Sequence, residues 1–347
     1  MEHIGIDLGA RRSHIVILDH NGTELERRIV ATTELRDLLQ SRDPACVVME
    51  ACTQSSAVSG FAMSAGHTTF VVPTSVVRAL GVGARGIKND FRDAEALARG
   101  SVRSATLPSV YRRSETSVAQ RSLIQTRSVL SKTRAMLAVH IKSTLRSQLI
   151  VLRGRAQSEA FAKNVREALL ATPQGVPASL EFLLSSFEHL SAQLREVDAQ
   201  VKELAASDPV CKRLMTAPGV GPVIALAYRA QLDDVNRFAS SQDLASYLAL
   251  VPGENTTGGR RRRTGTILAG PRYLKVLLVQ GAWSLYTHRP NEPMSVWARN
   301  VAARRGPCVA ILALARKLAT VLYAMWKHEK SYNPALASTA RPGPAQA

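Results

Sequence analysis

Four acidic residues, far apart along the chain, have the positions that metal-dependent chemistry requires. Asp7 lies within the alternating segment IGIDL, so its side chain faces away from the apolar side of a strand. Glu50 ends a short apolar segment, and open α/β sheets bind ligands at the carboxyl ends of their strands. Asp90 and Asp93 are three residues apart in KNDFRDAEALARG, which places both on one face of a helix.

Carboxylate oxygens are the ligands that Mg²⁺ prefers. Together the four acids could hold one or two Mg²⁺ ions, and two ions about 4 Å apart activate a nucleophile and stabilise the leaving oxygen at a phosphodiester. Simpler roles exist for two of them, since Asp90 could cap a helix and Glu50 could be an ordinary surface acid. Asp7 is harder to explain in that way, because aspartate is disfavoured inside strands.

The elements around these acids form an α/β layout with a mixed sheet. Three successive strands, the second and third joined at the turn signal Asn21-Gly22, are followed by alternating helices and strands. The strands are predicted at residues 4–8, 14–18, 23–30, 46–49 and 68–72, and the helices at residues 31–40 and 55–65.

The positive charge of the chain is concentrated after residue 100. Residues 1–100 contain 11 of the 45 lysines and arginines and 12 of the 27 acids, a net charge of −1, so the remainder of the chain carries +19. Residues 101–155 alone contain 11 basic side chains and one acid, Glu115. A surface that served only solubility would mix both signs. The division therefore predicts a chemical module followed by a module that binds a polyanion, and nucleic acid is the obvious candidate.

Residues 90–206 are predicted to be mainly helical. Between Leu180 and Leu204, apolar residues recur at alternating steps of three and four, which is a heptad seam. The seam fits packing within one chain and packing between two copies equally well. With the basic helix before it, it predicts an antiparallel hairpin. Further on, Gly219 and Gly221 lie in a turn that resembles a helix-hairpin-helix, whose amides bind phosphate, although any tight turn would fit.

Cysteine usage and the amino terminus indicate a cytoplasmic protein. The cysteines show neither zinc spacing nor a pairing pattern, and all four are predicted to be buried hydrophobic residues: Cys46, Cys52, Cys211 and Cys308. MEHIGIDLG lacks the basic and then apolar order of a signal peptide. No uninterrupted apolar run approaches the roughly 18 residues of a membrane helix, so we expect no membrane partner.

The four acids resemble the DEDD signature of the Piv-type insertion-sequence transposases, whose amino-terminal domain has a RuvC-like, ribonuclease-H-like fold. The string NDFRDAEALA at residues 89–98 is a specific match, and LMTAPGVGPVIA at 214–225 and residues 238–278 resemble the family's carboxy-terminal domain. The likeness covers nearly the whole chain. GIDLG also resembles a phosphate loop of actin-like ATPases and sugar kinases, but the sequence has no second glycine-rich phosphate loop.

The resemblance implies a DNA recombinase whose four acids bind Mg²⁺ and whose carboxy-terminal serine forms a covalent link to DNA. It also implies composite sites in a homodimer or homotetramer, and a structured, element-encoded RNA that pairs with element ends and target. Where relatives carry a serine pair, this chain has Thr256 and Thr257. We expect one threonine to act as the nucleophile, although its methyl group crowds in-line attack. Ser241 and Ser246 are weaker candidates, since both are predicted within a helix.

Nucleic-acid contacts are predicted along the basic helix, at the glycine turn and beside the threonines. The arginine run after Thr257 would by itself indicate a disordered basic loop, but beside a phosphate chemistry site it favours phosphate contact. The predicted contacts are Arg112, Arg113, Arg121, Arg127, Lys132, Arg134, Lys142, Arg146, Gly219, Gly221, Gly258, Gly259, Arg260, Arg261, Arg262 and Arg263.

Four parts are predicted: a RuvC-like catalytic domain at 1–105, a basic helical and coiled-coil region at 106–207, a mainly α carboxy-terminal transposase domain at 208–333 and a disordered tail at 334–347. The function that fits best is a Mg²⁺-dependent transposase or site-specific recombinase. Two alternatives remain open. One is a non-catalytic, nucleic-acid-binding descendant, and the other is a Mg²⁺-dependent, structure-selective nuclease.

Overall fold

The computed structural model describes residues 1–80, 89–152, 158, 160–173, 175–257, 260–266 and 270–335, with the backbone alone at residue 78 and across 254–266. The chain divides into two compact units, Met1–Arg112 and Arg113–Ala347. The finer division into four parts stays a prediction. Most of the tail predicted to be disordered, residues 336–347, lies outside the described residues.

The first unit contains a five-stranded mixed sheet. Its strands are β1 (His3–Asp7), β2 (Arg12–Leu18), β3 (Glu24–Ala31), β4 (Cys46–Glu50) and β5 (Thr68–Val72), in the spatial order β3-β2-β1-β4-β5. The first three strands are antiparallel, and β4 and β5 run parallel to β1. This arrangement fits the expected ribonuclease-H-like domain. All five predicted strands are present, with ends shifted by at most two residues.

Helices cover both faces of this sheet. They are α1 (Leu35–Gln40), α2 (Ser55–Ser64), the short α3 (Thr74–Val77) and α4 (Asp90–Arg103). The predicted helix at 31–40 begins as a 3-10 turn at Thr32–Glu34. On one face, Ile4 and Ile6 pack with residues of α1 and α2. On the other face, Val16 and Leu18 pack with Ala94 and Ala98 of α4.

A long antiparallel helix pair begins the second unit. Helix α5 (Glu115–Ser147) packs against α7 (Ala178–Ser207), with α6 (Phe161–Leu170) between them in sequence. Ile124, early in α5, lies in one cluster with Val201, late in α7. At the other end, Leu145 of α5 lies in a cluster with Leu180 of α7. The predicted hairpin is therefore present.

The heptad seam of α7 is satisfied within the chain. Its residues at seven-residue intervals, Leu180, Phe187, Leu194 and Val201, are buried. The alternate set, Leu183, Leu190, Val197 and Leu204, is half-buried. Because α5 covers the buried set, packing inside one chain accounts for the pattern, and a coiled coil between copies stays a prediction.

The rest of the second unit is a helical core with one small hairpin. The helices are α8 (Pro209–Leu214), α9 (Pro222–Leu232), α10 (Ser241–Tyr247), α11 (Arg272–His288), α12 (Pro293–Arg305) and α13 (Pro307–Lys327). Strands β6 (Pro252–Thr257) and β7 (Arg260–Thr266) pair antiparallel. The interpretation of the arginine run as a disordered loop is therefore wrong, since its backbone forms β7.

Helix α13 is long and apolar enough to cross a membrane by length and composition, and 56% of its apolar window is buried. Leu314, Leu318 and Leu322 are fully buried in the main cluster of the second unit, as in the core helix of a globular protein. The helix carries this apolar surface although Arg316 and Lys317 interrupt its sequence.

The prediction that every cysteine is buried is half wrong. Cys46 and Cys211 are buried, whereas Cys52 and Cys308 are exposed, and all four thiols are free. Burial raises the pKa of Cys46, and burial together with Asp208 raises the pKa of Cys211 to about 12. Cys308 is exposed because it lies in the first turn of α13, before the buried face of that helix begins.

Candidate metal centre and nucleic-acid interface

Two of the predicted acids end neighbouring parallel strands. Asp7 is the last residue of β1 and Glu50 is the last residue of β4. The register pairs Ile6 with Met49, so both carboxylates come at the same edge of the sheet. Because side chains alternate along a strand, Asp7 and Glu50 lie on the face opposite Ile6 and Met49. That face is the one that α4 covers, since Val48 packs there against Leu97.

Gly5 allows α4 to lie directly on β1. A Cβ atom added at Gly5 would be 1.9 Å from the carbonyl oxygen of Ala94 and 2.7 Å from the amide nitrogen of Ala98. Both are backbone atoms of the helix, so only glycine permits this approach. The contact brings the amino-terminal half of α4 next to the strand that ends in Asp7.

Asp90 and Asp93 lie in the first turn of α4, on the helix that covers this face. The side chain of Asn89 caps the helix by accepting a hydrogen bond from the amide of Phe91. Asn89 therefore does the capping for which Asp90 was a candidate, and Asp90 is left for another role. A helix amino terminus also favours carboxylates electrostatically.

Asp93 has a buried oxygen atom with an unused acceptor. The residue is 8% exposed, and its Oδ1 atom has no hydrogen-bond partner among the described residues. An unpaired buried carboxylate oxygen costs free energy unless a cation or donor satisfies it. This orphaned oxygen fits a ligand for a bound metal.

Three side chains converge most closely. Asp7, His14 and Asp90 each offer one ligand atom, and these atoms lie within 4.8 Å of one another. His14 is opposite Asp7 in the β1–β2 register, and its Nδ1 atom is 3.7 Å from Oδ2 of Asp90. Glu50 and Asp93 share the face but are not members of this cluster.

Sequence reasoning missed His14. The residue opens the predicted strand HIVIL and was used only to mark that strand. The available signal was the alternation of β2, because His14 shares a face with Val16 and Leu18, the residues that pack against α4. Its ring lies edge-on to Phe91 with centroids 4.7 Å apart, which fixes its orientation.

This arrangement can hold a divalent cation. Carboxylates supply hard oxygen ligands suited to Mg²⁺ or Mn²⁺, and an imidazole nitrogen is better suited to transition metals. The residues present therefore fit the group that a DEDD signature implies. Two observations support this fit. The ligand atoms of Asp7, His14 and Asp90 lie close together, and the buried Oδ1 atom of Asp93 has no hydrogen-bond partner among the described residues.

The predicted basic contacts between residues 112 and 146 fall into two groups. Arg112, Lys132 and Arg146 are exposed. Arg127 is engaged within the helix pair, since its Nε atom donates to Oδ1 of Asp198 at 2.5 Å.

Apart from Arg127, the predicted contacts that are engaged within the protein lie against aromatic rings or near a hydroxyl group. Arg134 and Lys142 lie over aromatic rings at 5.8 and 6.0 Å from the centroids. Arg113 donates to the hydroxyl of Tyr247, and Arg121 is half-buried near it. A phosphate would compete with these partners, and Arg112 likewise donates to the sulfur of Met63 at 2.9 Å. Lys132 and Arg146 have no such partner among the described residues.

The glycine turn is built by close packing. Gly219 has a φ of +82°, and an added Cβ would lie 2.7 Å from the carbonyl oxygen of Gly281 in α11. Gly219 is therefore required by the turn and by helix packing. Gly221 precedes α9 and faces open space, which leaves it the better placed of the two for a ligand.

The threonines lie in the β6–β7 hairpin. In the backbone register, Thr256 is opposite Arg261 and Thr257 is opposite Arg260, while Asn255 and Glu254 are opposite Arg262 and Arg263. Gly258 and Gly259 lie outside the described residues. The segment N-T-T-G-G-R contains a hairpin signal, a glycine pair between strand-forming residues, although only nucleic-acid contact was predicted for it.

An acid-bearing face on a mixed five-stranded sheet defines the class of DEDD transposase domains, and comparisons with known proteins agree. A family model for DEDD transposases of the IS110 type, described as "Transposase", matches residues 4–149. A second model, described as "Transposase IS116/IS110/IS902 family", matches residues 211–295.

Curated relatives match along almost their whole length. A "Probable family 20 transposase" of Pseudomonas aeruginosa is 28% identical over 96% of this chain and 99% of its own length. The transposase for insertion sequence element IS1328 of Yersinia enterocolitica is 28% identical over 92% and 95%. The transposase for insertion sequence element IS1111A of Coxiella burnetii is 27% identical over 95% and 90%.

The chain belongs to the IS110/IS116/IS902 family of insertion-sequence transposases. Membership supports DNA transposition as the activity and DNA as the partner. A DEDD domain implies a divalent metal, for which the described acids and His14 offer ligands.

Proposed function

We propose that this protein is a Mg²⁺-dependent DNA transposase in which Asp7, Glu50, Asp90 and Asp93 hold the metal and a threonine hydroxyl attacks the DNA. The observation that supports the proposal is the placement of the four acids on one face of the sheet, where Asp7 and Asp90 lie close together with His14. Two come from the carboxyl ends of β1 and β4, and two come from the first turn of the helix packed on the same face.

The metal would supply a Lewis acid for the phosphodiester oxygens. The chain itself supplies the ligands and their rigid support. Asn89 fixes the start of α4, and Gly5 fixes the distance between α4 and β1. His14, held by Phe91 and close to Asp90, would orient or complete the ligand set.

The nucleophile would be Thr257 or Thr256. Its hydroxyl loses a proton and its oxygen bonds to phosphorus, while the bond from phosphorus to the leaving deoxyribose oxygen breaks and that oxygen gains a proton. The opposed arginine run of β7 supports this assignment, because cations beside a reacting phosphate stabilise its developing charge.

The partners would be element ends, target DNA and a structured RNA encoded by the element. The acids and the threonines belong to different compact units, so a homodimer or homotetramer could assemble a site from two copies. The basic side chains of the second unit support contact with a nucleic-acid backbone, and we expect affinity to fall steeply with salt. Action on DNA favours a cytoplasmic location.

The test is an assay for a covalent protein–DNA adduct. The full chain is incubated with Mg²⁺, labelled element ends and the element-encoded RNA, and the adduct is resolved under denaturing conditions. We expect an adduct with the wild-type chain and its loss in Asp7→Asn. Asp43→Asn, which alters an exposed acid of the same unit, is the matched control and should form it normally.

Variants of the hairpin identify the hydroxyl. Loss of the adduct in Thr257→Ala but not in Thr256→Ala assigns the nucleophile to Thr257, and the reverse result assigns Thr256. Thr257→Ser should react faster than wild type if the methyl group crowds the attack. Cleavage without any adduct would instead identify a nuclease, and salt-sensitive binding without cleavage would identify a non-catalytic descendant.

A further inference from the structure

A cavity in the second unit is lined by cations and has no described acid. Its volume is about 360 Å³, and it lies between α5, α9, α10 and the start of α11. Its polar lining comes from Arg113, Arg121, Arg272, Gln125, Gln231, Tyr247 and Tyr273. We call it the arginine pocket.

Neither Arg113 nor Arg121 forms an ion pair with an acid of the described residues. Arg113 donates from Nη2 to the hydroxyl of Tyr247 at 3.0 Å, while its Nε atom is buried and has no hydrogen-bond partner among the described residues. Arg121 is half-buried and pairs with no described acid. Burial lowers the pKa of Arg121, and the neighbouring charge of Arg113 lowers it further.

Two nearby arginines of the same unit, in contrast, have acidic partners. Arg127 forms an ion pair with Asp198, and Arg229 lies near Asp208 and Asp233. Arg113 and Arg121 instead repel each other in a partly desolvated site, which is unfavourable unless an anion occupies it.

The donors of the pocket suit a phosphate group. Guanidinium groups bind phosphate oxygens through two parallel hydrogen bonds, which a carboxylate-free cavity leaves available. The Tyr247 hydroxyl accepts from both Arg113 and Gln231, so these two side chains are held in place. A preordered site loses less entropy when it binds.

The pocket lies at the base of the hairpin that carries Thr256 and Thr257. An added Cβ at Gly270 would lie 2.8 Å from the carbonyl oxygen of Tyr247, so the chain segments on either side of the hairpin meet here. Thr257 is five residues beyond Pro252 along β6, a distance of about 17 Å in a strand. Successive phosphates advance about 3.4 Å along a duplex strand, so the pocket would meet a phosphate several nucleotides from Thr257.

We propose that the arginine pocket binds a backbone phosphate of the DNA, several nucleotides from the phosphate that the hairpin threonine attacks. The inference rests on the proposed DNA partner. It does not depend on the metal centre or on the identity of the nucleophile. A DNA phosphate held there would fix the strand relative to the base of the hairpin.

The first test uses inorganic phosphate and the full-length chain in EDTA. Thermal unfolding is measured in phosphate and in chloride of equal ionic strength, for wild type, Arg121→Gln and Arg305→Gln. Arg305 is exposed on α12 and gives a matched loss of charge outside the pocket. We expect phosphate to raise the Tm of wild type and Arg305→Gln, and to lose most of this effect in Arg121→Gln.

The Tm measured in chloride also shows whether a substitution disturbs the fold. Arg121→Gln removes one member of a repelling pair, so its Tm in chloride should not fall. Phosphate also acts as a general stabilising salt. An equal rise of Tm in all three proteins would therefore show that the pocket is not a phosphate site.

The second test measures binding to duplex element ends without Mg²⁺ as the salt concentration varies. We expect Arg121→Gln to weaken binding about tenfold and to reduce the slope of log K against log salt by about 0.9. Arg121→Lys keeps the charge but loses the guanidinium fork, and should restore the slope without the full affinity.

Two outcomes of this second test would overturn the proposal. Unchanged DNA affinity and slope in Arg121→Gln would show that the pocket takes only a free anion. Weaker binding to structured RNA with unchanged DNA binding would assign the pocket to RNA. Because no cleavage is measured, failure of the adduct assay would leave these results intact, and their failure would leave that assay intact.

Discussion

Replacing Gly5 with alanine should disrupt the metal centre from the middle of strand β1, two residues before Asp7. The new Cβ atom would be 1.9 Å from the carbonyl oxygen of Ala94 and 2.7 Å from the amide of Ala98. Neither backbone atom can rotate away. To reach an ordinary contact of 3.4 Å, α4 must move outward by about 1.5 Å.

The substitution should lower both the stability of the protein and its affinity for metal. Overpacking of this kind costs about 1–3 kcal/mol, and we expect the upper end because two backbone contacts are affected. The same movement carries Asp90 away from Asp7 and His14, whose ligand atoms now lie within 4.8 Å of one another. Metal sites tolerate about 0.2 Å, so metal affinity should fall by more than tenfold.

The assay compares Gly5→Ala with Gly100→Ala in the full chain. At Gly100, within α4, an added Cβ meets the flexible end of Leu80 at 3.4 Å and that of Leu107 at 3.8 Å. Alanine there should be neutral or should stabilise the helix by about 0.5–1 kcal/mol. Urea unfolding and Mn²⁺ titration measure both effects. If Gly5→Ala were as stable as wild type and bound Mn²⁺ equally well, the account of how α4 positions the acids would be refuted.

Three further predictions concern individual side chains. His14→Ala should weaken Mn²⁺ binding about tenfold and reduce the preference for Mn²⁺ over Mg²⁺, as calorimetry would show. Burial lowers the pKa of His3, which is hydrogen-bonded to Ser101. The unfolded chain therefore binds the proton more tightly, so stability should fall as pH drops through about 6.5, and His3→Gln should flatten that dependence in urea unfolding. Asp198→Asn should cost the helix pair less than about 1 kcal/mol, and by releasing Arg127 it should raise DNA affinity and the salt slope. An unchanged slope would exclude Arg127 from the DNA contact.

The features of the first unit that depend on residues close together in sequence could be predicted. Alternation in IGIDL predicted the face of Asp7, and the three-residue spacing of Asp90 and Asp93 predicted that both lie on one face of a helix. These signals depend on neighbours within a few residues. That is why the five strands were confirmed with small shifts at their ends and a helix was confirmed at Asp90 and Asp93.

The remaining features depend on partners that are distant in sequence. His14 joins the acids only because the β1–β2 register places it opposite Asp7. Arg127 is engaged by Asp198 across the helix pair, 71 residues further on. Periodicity along α5 cannot show which cations have such partners, so the basic helix was predicted as one uniform surface.

The central claim is tested most directly by Mn²⁺ binding to the full chain, followed by electron paramagnetic resonance in the absence of DNA. The account predicts saturable binding to the wild-type chain, its loss in Asp7→Asn, and its retention in Asp43→Asn. Equal binding by Asp7→Asn and wild type would contradict the claim that these acids hold the metal.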